Sequence, residues 1–235
     1  DKGAELGYFA GEEDKENFRN ELLWLQTNRK GAFNSPVQFN FGIYNEYGVS
    51  GNSSMNFIRD PETGEVTRVE GGEYTSPQGH ACFIKGPRDS LESIAEHHAH
   101  ETAVFSAGSG IGQDIGVLRH QGESLSGGGS SSGPMSFLKV YDAGAGTIKS
   151  GGKSRRAARL TSMRSEHPDV LEFIRSKVSE DKKGLILERA GIEGGMDGEA
   201  YTTVGLQNTN ISVRADDYFF DQVKKISTLY LILYC

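Results

Sequence analysis

Residues 158–177 read ARLTSMRSEHPDVLEFIRSK, and this stretch changes character half-way. Ala158–Met163 reads as a strand. His167–Lys177 reads as a helix: Pro168 suits a first turn, where its missing N–H is not needed, and Asp169 complements the positive end of the helix dipole. The same order recurs on both sides. Upstream, HACFI (80–84) is a short apolar strand. Asp89 or Ser90 then caps a helix through about Phe105, with Leu91, Ile94 and Ala95 expected to face inward. Downstream, NTNISVRA (208–215) is a strand with Ile211 and Val213 on one face, and Asp216 or Asp217 caps the helix DDYFFDQVKKI. Between them PMSFLKVYDAGAG (134–146) forms a helix with Pro134 in its first turn. Strands alternating with helices define an α/β fold.

The rest of the chain is less regular. Residues 14–30 place Phe18, Leu22 and Leu25 on one helical stripe, with Gly31 as a stop. FNSPVQFNFGIYNEYG (33–48) is aromatic and β-leaning, and 48–79 is rich in turn formers suited to hairpins. Residues 178–206 are charged and Gly-rich and read as a long loop or hairpin, and 226–235 are an apolar tail. The expected division is an N-terminal helical segment with a hairpin excursion (1–76), an α/β unit (77–225) and the atypical tail (226–235).

Composition bounds the function. The 235 residues carry a formal charge of −7, which argues against a general nucleic-acid binder. Two cysteines, Cys82 and Cys235, are too few for a disulfide scaffold. No run approaches the roughly 20 apolar residues that span a bilayer, and no secretory leader is visible, so the expected compartment is the cytoplasm. Asp1 in place of an initiator methionine reads as a processed, trimmed or partial chain. Glycine numbers 31, about twice the usual share, and clusters between Gly108 and Gly152.

Glycine clusters invite phosphate-site readings, and the standard ones fail. For GGKS (151–154), a P-loop needs glycine at position 147, which is threonine. In GSGIGQDIG the dinucleotide fingerprint places its third glycine on Gln113 or Ile115. Gly129–Gly133 matches G-x-S-x-G, but the flexible flank Leu125–Gly128 makes it a serine-rich turn rather than a nucleophile elbow. His97, His98 and His100 lack the HExxH pattern and read as a solvated helix face, so no metal site is assigned. Lys149, Lys153, Arg155, Arg156, Arg159 and Arg164 form a basic stretch with no acid. It suits either a solvated strand balanced by acidic neighbours or an anion site. By composition alone, Cys82 reads as an inert buried thiol and Cys235 as incidental.

Taken together, FNSPVQFNFG (33–42), HACFI (80–84), DSLESI (89–94), GSGIG (108–112), LRHQGESLSGGGSSSGPMSFLKVYD (118–142), IKSGGKSRRAA (148–158), HPDVLEFIRSK (167–177) and NTNISV (208–213) resemble one family in order and spacing. The chain resembles adenosylcobalamin-dependent (class II) ribonucleotide reductases. The resemblance implies the first half of a ten-stranded α/β barrel. It implies reduction of a ribonucleotide at the ribose 2′-carbon, begun by cobalamin-generated thiyl radical chemistry, as in ribonucleoside-diphosphate reductases. By the same resemblance Cys82 is the first redox cysteine, an interior strand thiol. Ser35, Ala81, Cys82 and Gly110 are substrate contacts, and many relatives have Ser where this chain has Ala81. Asp89, Ser90, Leu91 and Arg119 bind a (d)NTP effector. The Ser/Gly loop 124–133 and the stretch 178–206 take the places of the first and second specificity loops. A homodimer and a thioredoxin-like or dithiol reductant are implied partners. The family's radical cysteine lies in an Asn-x-Cys-x-Glu loop downstream of NTNISV, and Cys235 has neither flanking residue. The chain is thus expected to be a fragment, inactive alone, with most cobalamin contacts outside it. The alternative is a standalone nucleotide-binding or regulatory module without a redox role.

Overall fold

The computed structural model describes residues 2–5, 7–51, 56–60, 62–148, 157–195 and 198–225. Lys149, Lys153, Arg155, Arg156 and the tail with Cys235 lie outside the described residues. The N-terminal part comprises α1 (Lys2–Glu5), α2 (Glu12–Thr27), α3 (Ser35–Asn40) and α4 (Ile43–Tyr47), then the hairpin β1 (Phe57–Arg59) and β2 (Val66–Arg68). The hairpin matches the expectation from its turn residues: Asp60 Oδ1 accepts the Glu62 and Thr63 N–H groups at 2.8 Å each.

The main unit runs β3 (Cys82–Ile84), α5 (Leu91–Ser106), β4 (Gly110–Asp114), α6 (Gly133–Thr147), β5 (Arg159–Arg164), α7 (Val170–Arg189), α8 (Glu199–Thr203), β6 (Thr209–Arg214) and α9 (Asp217–Lys224). Its four strands are parallel in the order β3-β4-β5-β6. One face of the sheet builds the core. Ile94, Met135, Leu138, Tyr141, Val170 and Phe173 from the helices close over Met163 and Ile115. The other face is largely open, with Leu160 50% and Ile84 94% exposed. Alternation along β5 gives the division directly: Arg159, Thr161 and Met163 are buried, while Leu160 and Arg164 are exposed.

A buried polar network lies within the core. Arg159 Nε and Nη2 donate to the two carboxylate oxygens of Glu101 at 2.5 and 2.8 Å. Nη2 also reaches the Tyr141 carbonyl at 2.9 Å, and Nη1 reaches Thr209 Oγ1 at 3.1 Å. Thr209 Oγ1 in turn donates to Asp142 Oδ1 at 2.8 Å. His97 Nε2 lies 2.6 Å from Gln113 Oε1 and 3.5 Å from Glu101. Burial pushes the Glu101 carboxyl up, but hydrogen bonds from His97 and Arg159, with their charges, outweigh it and hold the group below its ordinary value.

Several expectations need correction. Residues 33–48 form α3 and α4 rather than extended chain, because Pro36 sits in a first helical turn and Gly42 takes a φ of 84° between the two helices. Residues 178–206 are not a long loop: α7 continues to Arg189 and α8 follows. The charges there are the solvent face of α7, and Gly184 is the flat seat for the Tyr201 ring, which would meet a Cβ at 3.3 Å. On α5 the inward residues are Ser93, Ile94, His97, Glu101 and Phe105, while Leu91 is 74% exposed and Ala95 also faces out. Arg159 draws Glu101 inward, and that sets the helix's rotation. The histidines therefore divide: His97 is buried, His98 stacks on Tyr141 with part of its ring exposed, and His100 stays on the solvent side as expected. Arg159 is neither solvated nor an anion ligand. Strand β4 went unforeseen because its two glycines hide the alternation of Ile111 and Gln113 toward the core. No helix among the described residues is long and apolar enough to cross a membrane.

Candidate functional site

Two clusters of the expected site residues form at opposite ends of the strands. At the N-terminal end Cys82 is in register with Gly110 on the adjacent strand. Gly110 donates its N–H to the Ala81 carbonyl at 2.8 Å. Ser109 Oγ, which accepts from Gln78, bonds the His80 carbonyl at 2.8 Å and ties the two strand starts together. Cys82 is exposed, the opposite of the buried thiol that composition suggests, because β3 is an edge strand and its neighbour offers only a glycine. A Cβ on Gly110 would stand 3.5 Å from Cys82 Sγ and 3.0 Å from the Ala158 carbonyl oxygen. Gly110 is itself buried, and its missing side chain lets the Ala158 carbonyl and the accessible Cys82 thiol lie close to its Cα. Ser35, the first residue of α3, is exposed. Its helix approaches this region through Val37 and Phe41, which lie 3.0 and 3.4 Å from a Cβ built on Gly79, just ahead of β3.

At the C-terminal end, Asp89 and Arg119 meet. Arg119 Nη2 lies 2.9 Å from Asp89 Oδ2, Nε bonds both carboxylate oxygens at 3.0 and 3.2 Å, and the Arg119 N–H reaches Oδ1 at 3.3 Å. The side-chain hydrogen bond from Arg119, helped by its backbone N–H and its charge, holds the Asp89 carboxyl below its usual range against the opposing effect of burial. Ser90 Oγ caps α5 by accepting the Ser93 N–H at 3.2 Å, as its sequence position predicts. Leu91 is the first residue of α5 and is exposed. Behind Arg119 the chain turns into a small hairpin. Gly122 donates to the Ser131 carbonyl at 2.9 Å, Ser131 to the Glu123 carbonyl at 2.8 Å, and Leu125 to Gly129 at 3.1 Å. The serine-rich turn is thus ordered. It is anchored at Gly133, whose φ of 75° and closeness to Gln121 leave no space for a side chain.

The family model for the ribonucleotide reductase barrel domain matches residues 80–233, well over half of the chain. The chain belongs to the ribonucleotide reductase family. Its α/β sheet is accordingly part of that family's barrel. Among curated relatives, the vitamin B12-dependent ribonucleotide reductase of Rhodopirellula baltica is 46% identical over 225 residues, covering 96% of this chain and 21% of that protein. The enzyme of the same description from Streptomyces avermitilis is 37% identical over 223 residues, covering 95% and 20%. The vitamin B12-dependent ribonucleoside-diphosphate reductase of Thermoplasma acidophilum is 35% identical over 172 residues, covering 73% and 19%. The chain therefore spans about a fifth of the length of these reductases. Among solved structures, the class Id ribonucleotide reductase alpha subunit of Actinobacillus ureae aligns over 83% of this chain and 25% of its own, at 14% identity and a TM-score of 0.48.

Reading the sequence missed residues that shape both clusters. Ser109 joins the strand starts, and Glu101 fixes Arg159, whose neighbour Ala158 stands against Gly110. Asp169 reads in sequence only as a favourable charge on its own helix, whereas its carboxylate accepts the Gln121 N–H. No sequence pattern marks these roles, since each depends on a partner 29 to 58 residues away.

Proposed function

We propose that this chain carries the first redox cysteine, part of the substrate site and the effector seat of a vitamin B12-dependent ribonucleotide reductase. The observation that carries the proposal is the exposed Cys82 thiol standing in register with Gly110. A ribose seated beside Gly110 would present its 2′-carbon to Cys82, with Ala81 contributing main chain and Ser35 closing from α3. In the net reaction the C2′–O bond breaks and a C2′–H bond forms. Cys82 and a second thiol outside this chain give up their hydrogens and become a disulfide, and the oxygen leaves as water. A dithiol or thioredoxin-like reductant then restores both thiols. Adenosylcobalamin, when bound, supplies the radical that starts the chemistry. No residue of this chain is assigned to hold it. Of the two enclosed imidazoles, His167 is engaged at both nitrogens by Leu118 and Asp169, while His97 is engaged at Nε2 by Gln113 and its Nδ1 is enclosed in the core without a partner among the described residues.

At the other end, Asp89, Ser90, Leu91 and Arg119 form the seat for a (d)NTP effector. Arg119 uses Nε and Nη2 on Asp89, which leaves Nη1 for a phosphate oxygen. The Ser/Gly loop 124–133 serves as the first specificity loop and the stretch 178–206, which includes the end of α7, as the second. The working unit is 77–225, with 1–76 and the tail 226–235 as its flanks. The complete enzyme is a cytoplasmic homodimer. The test is Cys82→Ser in the complete reductase, supplied with adenosylcobalamin, a ribonucleotide and the protein reductant. Deoxyribonucleotide formation should be lost, and unimpaired turnover would remove Cys82 from the reaction.

A further inference from the structure

The turn that carries Arg119 is held from two sides, and only one of them is the Asp89 pair. On the far side stands the loop between β5 and α7. His167 Nε2 lies 2.9 Å from the Leu118 carbonyl oxygen, and its Nδ1 accepts the Asp169 N–H at 3.0 Å. Both partners are main chain, so the proton has one place. A carbonyl can only accept and an N–H can only donate, so Nε2 carries the hydrogen and Nδ1 the lone pair. His167 is buried. Asp169 occupies the N-cap position of α7, yet its side chain makes no capping bond there. Its Oδ2 accepts the Gln121 N–H at 2.9 Å instead. An aspartate at this position ordinarily stabilises its own helix by accepting an N–H of the first turn. Here the carboxylate reaches across to a neighbouring turn, so Leu118 and Gln121, on either side of Arg119, are both fastened to the start of α7.

We propose that His167 and Asp169 are positioning residues for the effector site, setting how far Arg119 reaches toward an effector phosphate and linking that reach to the placement of α7. This rests on the reading of Arg119 as a phosphate ligand. The far end of α7 leads into the 190–198 segment and α8. A shift of α7 is thereby felt at Arg119, and a phosphate on Arg119 is felt along α7, as reciprocal coupling requires. Neither residue touches the effector in this scheme.

The test is equilibrium binding of each of the four deoxynucleoside triphosphates to the complete reductase, with melting temperature measured alongside. Gln at position 167 keeps a donor where Nε2 stands and can still hold Leu118. Asn keeps an acceptor where Nδ1 stands and can hold only the start of α7. H167A should weaken binding of the preferred nucleotide about fivefold or more, H167Q should restore it, and H167N should not, although H167N supports α7. D169A should weaken binding, while D169N, which keeps an acceptor for Gln121, should not. A merely structural role predicts that binding follows melting temperature through the series. Recovery by H167N equal to that by H167Q, or wild-type binding by D169A, overturns the proposal; these comparisons stand even where H167A does not fold. R119A separates the two levels. If R119A binds like wild type, or no nucleotide binds the parent, the effector reading itself fails. If R119A loses binding and the His167 series does not, only the positioning role fails.

Discussion

Replacing Glu101 with glutamine should severely destabilise the fold, although the change is nearly isosteric. In the native core Arg159 is fully enclosed, and two of its nitrogens point at the Glu101 oxygens at 2.5 and 2.8 Å. Glutamine keeps one acceptor and turns the other oxygen into an NH₂, which would face Arg159 Nη2 donor to donor. The neutral side chain also removes the one carboxylate bonded directly to the guanidinium, leaving Asp142 linked to it only through the Thr209 hydroxyl. The Tyr141 carbonyl and Thr209 hydroxyl still hold two of its N–H groups but carry no charge. Breaking one partner of such a pair costs about 3–5 kcal/mol, against a total domain stability of about 5–15 kcal/mol. With a urea m-value of about 2 kcal/mol/M, the unfolding midpoint should fall by about 1.5–2.5 M. The companion variant E101L/R159M removes both charges and fills similar volume, and it should lie much closer to wild type. Acid should imitate E101Q. The folded pKa of Glu101 is lowered, so its contribution is complete above the unfolded value near 4.5 and is lost as pH falls through the lower folded value. The wild-type midpoint should therefore drop below pH 4.5, and that part of the drop should vanish in E101L/R159M. A midpoint change under 0.5 M for E101Q, about 1 kcal/mol at this slope, would refute the reasoning.

Three further outcomes are expected. Gly110→Ala places a methyl 3.0 Å from the Ala158 carbonyl oxygen and 3.5 Å from Cys82 Sγ; it should raise the ribonucleotide KM of the complete reductase about tenfold while lowering stability by only about 1–2 kcal/mol, read by steady-state kinetics and urea melts. Gly133→Ala combines a φ of 75° with a Cβ 2.8 Å from Gln121 Cβ; it should cost about 2 kcal/mol or more, and hydrogen exchange at Gly122 and Ser131 should speed up. In a Cys235→Ser background, iodoacetamide should label Cys82 in native protein at a rate within about threefold of that in urea, since the thiol is already accessible; peptide mass spectrometry reports the rate, and strong native protection would contradict the edge-strand placement.

The sequence patterns that carried over best were those with local causes. Ser90 and Asp216 cap the helices they precede, Pro134 sits in a first turn, and the strands at 82–84, 159–164 and 209–214 fall where apolar alternation and flanking caps place them. What failed had distant causes. The rotation of α5 is set by Arg159, a residue 58 positions away, and no window along the helix contains that information. Gly184 looked like a loop residue because its reason, the Tyr201 ring, lies on another helix. In the candidate site, Cys82, Gly110, Asp89 and Arg119 were legible through family resemblance, and the structure groups them as two pairs. The fastening of Leu118 and Gln121 to α7 was not legible, since Asp169 does something other than what its position foretells.

The sheet order also bears on how the protein is made. The four strands of its main sheet lie side by side in the order in which they are translated, joined by α5, by α6 and, before β6, by α7 and α8. A ribosome therefore releases each of β4, β5 and β6 beside a strand that has already emerged. Paired residues lie 28, 48 and 50 positions apart along the chain, so each parallel pairing is slow to close, but each draws only on chain already made, and this part of the reductase can assemble vectorially while the remaining length is still being synthesised.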